Sequence, residues 1–226
     1  MADFEIIEQE GLRLVKISLN SETVRTESGA LYYMHGPIEM QSKGPSGVGG
    51  LFKALASGEN IFRPTYTGTG ELFLEPSFGG FHVMELTGQE WILEGGCYYA
   101  SEEGVEVGVH REKALTALKS GEGFLDYQTK IGGHGKVVVA TPGPVEELTV
   151  RGKLVVDGRY VLARPVGMGY EVQRATKSLL GSLTSGEGLV RTFTGNGKVL
   201  FAPIPYWRQR LFAQLSSSIA AARARK

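Results

Sequence analysis

Cysteine is almost missing from this chain: Cys97 is the only one among 226 residues. No intramolecular disulfide can form, and a reducing compartment is the expectation. Long apolar runs are missing too. None approaches the ~18 residues of a membrane-spanning helix. Net charge is also lacking, with 24 basic residues against 24 acidic ones, so no overall field draws the chain to nucleic acid or an anionic bilayer. The first residues, Met1-Ala2-Asp3-Phe4-Glu5, are acidic where a secretory leader opens basic. A soluble cytoplasmic chain is expected.

Motifs that carry chemistry are equally scarce. His35, His82, His110 and His134 stand apart with no His-x-His or His-x₃-His spacing, so neither a metal site nor a cofactor is predicted. No Gly-x-Ser-x-Gly marks a nucleophile. The stretch Lys43-Gly44-Pro45-Ser46-Gly47-Val48-Gly49-Gly50 has the glycines of a phosphate loop. It ends in Leu51, without the Lys and hydroxyl that hold phosphates and magnesium, and reads better as a loop before a helical turn. Cys97 sits in an apolar run, where a thiol behaves as a small buried hydrophobe. The sequence predicts no enzyme and no catalytic residue.

Glycine, by contrast, is abundant at 32 residues. It separates short runs rich in Val, Leu, Phe, Tyr and Thr, as in a protein of many strands and tight turns. The chain also repeats itself three times. Ser57-Gly58-Glu59-Asn60-Ile61-Phe62, Ser120-Gly121-Glu122-Gly123-Phe124-Leu125 and Ser185-Gly186-Glu187-Gly188-Leu189-Val190 are one phrase, and such periodicity decides architecture first. Upstream, Trp91 to Ala100 matches Leu154 to Ala163 without a gap, and Glu27 to Tyr33 is a more worn copy. The two clear copies read as strand, acidic-Gly turn, strand, with a tight hairpin at the turn. Leu51–Ala56, Ala114–Lys119 and Leu179–Thr184 have apolar residues four apart, which predicts short helical turns. The glycines of the Ser-Gly-Glu phrase then end those turns. Gly68-Thr69-Gly70, Gly133-His134-Gly135 and Gly195-Asn196-Gly197 read as hairpin turns, which places His134 at a tip. Pro76, Pro142 and Pro203 close the units.

The Gly-Glu-x-apolar phrases, the Gly47–Phe52 stretch and the Gly-x-Gly pairs, in this order and triplicated, resemble the TRAP-like mitochondrial-biogenesis ("altered inheritance of mitochondria") family, in its bacterial form. The resemblance covers about Leu12 to Pro205. It implies the fold of the tryptophan RNA-binding attenuation protein: an all-β chain of three tandem β-sandwich repeats in pseudo-threefold arrangement. The expected units are about 1–80, 81–142 and 143–205, forming one domain over 1–205, with a separate tail over 206–226.

Glu59, Glu122 and Glu187 recur at equivalent positions, where carboxylates can accept backbone hydrogen bonds in the turns. RNA binding, which the attenuation protein's fold brings to mind, needs a basic stripe with exposed aromatics. Lys136 and Lys198 share one position, but Glu71 fills it in the first unit, so nucleic acid is disfavoured. The tail is different. From Trp207 onward it carries Arg208, Arg210, Arg223, Arg225 and Lys226 and no acid. Trp207, Leu211, Leu215 and Ile219 recur every four residues, with Phe212 beside them, which predicts an amphipathic helix. That helix is expected to dock on a β core, its own or a neighbour's. The alternative is peripheral contact with an anionic membrane; the Ser and Ala of its polar side favour docking. The overall expectation is a non-catalytic scaffold that acts through its surfaces as a homo-oligomer, a trimer or ring. The alternatives are a membrane-peripheral adaptor and a small-ligand or RNA-binding module.

Overall fold

The computed structural model describes residues 1–42, 63–111, 127–174 and 189–202. The three Ser-Gly-Glu phrases (except Leu189 and Val190 of the third), their expected helical turns, the Gly44–Gly50 loop and the whole tail lie outside the described residues. What is described is all β, with no helix among those residues. The strands are β1 (Asp3–Gln9), β2 (Leu12–Thr26), β3 (Leu31–His35), β4 (Ile38–Gln41), β5 (Thr65–Leu74), β6 (Gly80–Thr87) and β7 (Trp91–Leu93). Then come β8 (Tyr98–Glu102), β9 (Val105–Arg111), β10 (Tyr127–Thr141), β11 (Glu146–Asp157), β12 (Val161–Pro165), β13 (Gly169–Arg174) and β14 (Leu189–Phe201). They form one open sheet whose main path runs β11-β14-β12-β7-β10-β8-β2-β5-β3. Every pairing is antiparallel.

Three strands organise the rest. β5 pairs with β2, β3 and β4; β10 pairs with β6, β7, β8 and β9; β14 pairs with β11, β12 and β13. Each carries a register shift against a short neighbour, between Leu31 and Tyr33, at Val138/Val139, and between Val161 and Ala163. In β2 the alternation Val15, Ile17, Leu19 places three fully or nearly buried side chains on one face, as a half-buried strand requires.

The Gly-x-Gly pairs do not reverse the chain. Gly68 and Gly70 lie inside β5, Gly133 and Gly135 inside β10, and Gly195 and Gly197 inside β14. His134 is therefore an exposed mid-strand residue opposite Thr87, not a hairpin tip. At these glycines a long strand bends from one set of neighbours to another: Tyr127–Gly133 faces β9, while His134–Thr141 faces β6. Gly68 has φ +147, and a Cβ there would overlap the Pro37 carbonyl oxygen. Only glycine permits both the dihedral and the close approach.

The acidic-Gly turns are real turns, closed by Ala30 N to Glu27 O at 3.3 Å and Cys97 N to Glu94 O at 3.0 Å. They are not hairpins. β7 and β8 do not pair with each other but with opposite flanks of β10, so the turn carries the chain across that strand.

Three apolar clusters result. The first joins Val15, Ile17, Val24, Tyr66, Leu72 and Leu74 to Phe81, Ala100 and Val138 from further along the chain. The second joins Leu93, Ile131, Val137 and Val139 to Leu162, Ala163, Leu200 and Ala202. The third contains only residues from Leu148 onward.

Candidate functional site

The described residues gather their buried polar groups at two seams, where β7 meets β12 and where β2 meets β8. At the first, β7 ends in Leu93, and the turn through Gly95 and Gly96 aims Glu94 inward; its N–H donates to Leu162 O at 2.9 Å. The side chain is 7% exposed, so its charge needs partners. Arg159 Nη1 stands 3.2 Å from Glu94 Oε1, and Gln128 Nε2 donates to Oε2 at 3.1 Å. Gln128 Oε1 in turn accepts from Arg164 Nη2 at 3.2 Å, and Arg164 Nη1 donates to Met168 O at 3.3 Å. The Arg164 guanidinium lies 4.8 Å over the Tyr170 ring, and the Tyr170 hydroxyl accepts from Arg191 Nε at 3.0 Å. A chain of charge-assisted bonds thus crosses the seam from β10 to β14.

The second seam repeats the chemistry with other residues. Glu27 N donates to Tyr99 O at 2.7 Å, and Arg63 Nε lies 3.7 Å from the Glu27 carboxylate. Burial pushes that carboxyl above its ordinary range, with Arg63 pulling it back. The Arg63 guanidinium lies 4.8 Å over the Tyr98 ring, whose hydroxyl shares a hydrogen bond with Ser101 at 2.9 Å. Beside it, Glu102 accepts from Ala2 N at 2.9 Å and Lys136 N at 2.8 Å. These groups bind chain to chain. Glu27, Glu94 and Glu102 each have a cation or an N–H upon them.

Two cavities flank the first seam. One of about 320 Å³ is lined by Glu94, Cys97, Thr141, Arg159 and Leu162 among others. Burial raises the Cys97 thiol to about 12, so it is not a thiolate at neutral pH. The other, about 300 Å³, is lined by His82, Trp91, Glu147 and Leu200 among others. Glu147 is held by Lys198 at 2.6 Å. Burial lowers His82, with Glu147 pulling it back up. The folded state then favours neutral His82, and the unfolded state takes up the proton first as pH falls. Its contribution is complete above pH 6.5, the ordinary histidine value, and lost as pH drops below it. A His82→Gln variant should show a flatter melting temperature between pH 5 and 7 than the parent. Parallel profiles would refute the assignment.

Of the residues singled out from sequence, Trp207, Arg208, Arg210, Leu211, Phe212, Leu215, Ile219, Arg223 and Arg225 lie outside the described residues, as do Glu59, Glu122 and Glu187. The Lys/Glu position is described in all three thirds. Glu71 pairs with Lys16 at 2.6 Å, Lys198 with Glu147, and Lys136 lies 3.9 Å from Asp3. Among the described residues no three His, Cys, Asp or Glu side chains are grouped to hold a metal, and no helix is long and apolar enough to cross a membrane. The seam network went unnoticed in the sequence because Glu94, Gln128 and Arg164 are far apart along the chain. The one signal available was the recurrence of an acid before the turn at Glu27, Glu94 and Asp157.

A family profile described as mitochondrial biogenesis AIM24 matches residues 4–204. The chain belongs to the AIM24 family. The AIM24 match takes in both seams and both cavities and stops short of Trp207. The crystal structure of protein SPYM3_0169 from Streptococcus pyogenes is similar at 22% identity and a TM-score of 0.75, over 96% of this chain and 100% of that one. At that identity the likeness shows a shared AIM24-type fold. No curated protein matches the chain.

Proposed function

We propose that this AIM24 chain is a non-catalytic scaffold, built of three fused TRAP-like β-sandwich units and acting through its surfaces as a homo-oligomer. The observation that carries the reading is the recurrence of one pairing scheme. β5, β10 and β14 each gather the strands of their own third, with the same register shift against a short neighbour. Successive thirds are then joined by a three-residue ladder and a shared core. The best-built polar groups of the described residues serve those joints, so joining is what this architecture does most thoroughly. The apolar residues that recur every four positions in the tail and its five positive charges belong to the same reading, which expects a further contact on a β core.

A scaffold of this kind has a mass above that of one chain. Light scattering of the full chain at micromolar concentration should give a multiple of 24.4 kDa. A mass of one chain across that range overturns the oligomer.

A further inference from the structure

The strand path ends at β11 on one side and at β3 on the other. Between them, two seams have the same construction. β2 meets β8 with Val24 opposite Glu102, Arg25 opposite Ser101 and Thr26 opposite Ala100. β7 meets β12 with Trp91 opposite Pro165, Ile92 opposite Arg164 and Leu93 opposite Ala163. Thr26 and Leu93 each stand just before an acidic-Gly turn, while Ala100 and Ala163 each stand just after a register shift. Both landmarks occur once more, at the two ends of the sheet. Val156 stands just before Asp157-Gly158, and Tyr33 just after the shift in β3. Among the described residues nothing pairs with the outer edge of either strand.

Burial follows the same logic. Ala100 and Ala163 are at most 1% exposed, while Tyr33 in their place is 48% exposed. Ser101 and Arg164 are buried, while Met34 is 40% exposed. Ile92 is buried while Val155 is 50% exposed, although Val156, in the place of Thr26 and Leu93, is buried as they are. At each internal seam the later third also lends side chains to the earlier core: Ala100 and Val138 to the first, Ala163 and Leu200 to the second. By register, Tyr33 and Phe73 hold those places in the first third. There they stack on each other at 4.3 Å, only half covered. Among the described residues the third core receives no such pair. Leu148, Leu154 and Phe201 are only half buried, while Ile17, Val24 and Leu74, which hold their places in the first third, are fully buried. Among the described residues, one end is therefore an apolar plug and the other an open socket of the same design.

We propose that a second copy of this chain fills that socket. β3 of one copy adds antiparallel to β11 of the next, with Tyr33 opposite Val156, Met34 opposite Val155 and His35 opposite Leu154, and the Tyr33–Phe73 stack closes the third core. The inference rests on the scaffold reading and names its contact. The occupant is a second copy because, among the described residues, the two equivalent sockets of the first and second thirds are each filled by the matching surface of the chain's own next third. The contact is head-to-tail, so each copy uses both ends and the series stops where a ring closes. It also covers the two edge strands, which are otherwise open templates for pairing.

The test uses two full-length variants, Met34→Cys and Val155→Cys, purified separately. Directly opposed residues of an antiparallel pair have Cα atoms about 4.5–5.5 Å apart, which a disulfide spans. The buried Cys97 thiol, raised to about 12, does not compete. Oxidising the mixture should give a disulfide-linked species of two chains, and oxidising either variant alone should not. In parallel, the exposed Tyr33→Glu change should leave circular dichroism unaltered and reduce the light-scattering mass to one chain. If the parent is oligomeric but neither result appears, this contact is wrong and the scaffold reading survives. If the parent has the mass of one chain, both fall. A double variant that links only within single chains would show that β3 closes on its own β11, and that also overturns the proposal.

Discussion

Replacing Gly68 by alanine is expected to cost this protein about 4 kcal/mol of its stability. A Cβ at that position meets the Pro37 carbonyl oxygen and crowds Ile38 Cα, both on the main chain. A side chain could rotate away; a backbone cannot move without breaking the β4–β5 ladder, where Ile38 pairs with Gly68 and Glu39 with Thr67. The dihedral adds to the clash, since φ is +147 at Gly68. Strain at such a φ costs about 1–3 kcal/mol, and overpacking adds about as much. A total near 4 kcal/mol removes a large share of the ~5–15 kcal/mol by which domains are stable. Gly108 is the matched control. It lies in β9 with nothing within 4 Å of an added Cβ, and Gly108→Ala should change the urea midpoint little. Equal midpoints for the two variants would refute the account of the bend.

That same glycine shows where the sequence stopped being legible. A Gly-x-Gly between two apolar runs is the signal of a hairpin, because both need a positive φ that few residues accept. It is equally the signal of a bent strand approached by a neighbour's backbone. What separates the two is the Pro37 carbonyl against Gly68, a contact between positions far apart along the chain. The acidic-Gly turns at Glu27 and Glu94 were legible because a turn is local; at Asp157 the chain only bends. Their consequence was not: β7 and β8 flank β10 instead of pairing, and only β10 decides that. The family was legible from phrases, most of which fall outside the described residues. Tyr33 was legible only as the end of the worn copy, and the meaning of its exposure is visible only once Ala100 and Ala163 are seen buried in the corresponding places.

Glu94→Ala should be the most damaging side-chain change at the seams. Glu94 is the acid among three arginines, Arg159, Arg164 and Arg191, linked through Gln128 and Tyr170. Truncation leaves the Gln128 amide without that acceptor and removes the negative charge facing Arg159. Breaking a buried pair by deleting one partner costs about 3–5 kcal/mol, mostly because the other partner stays desolvated. Arg159 is 33% exposed on its side chain, so water relieves part of that cost and about 3 kcal/mol is the better expectation. Glu94→Gln keeps the shape and the acceptor for Gln128 but gives up the charge, and should lose less than half as much. The seam joins two thirds of the chain through only three paired residues, so the loss should also weaken their coupling. In a Trp207→Phe background, a urea transition followed by the fluorescence of Trp91, which lies on β7, should then separate from one followed by circular dichroism in Glu94→Ala but not in Glu94→Gln. Coincident transitions with an unchanged midpoint in Glu94→Ala would mean that the apolar clusters alone hold the seam, and that the buried network contributes nothing to joining the thirds.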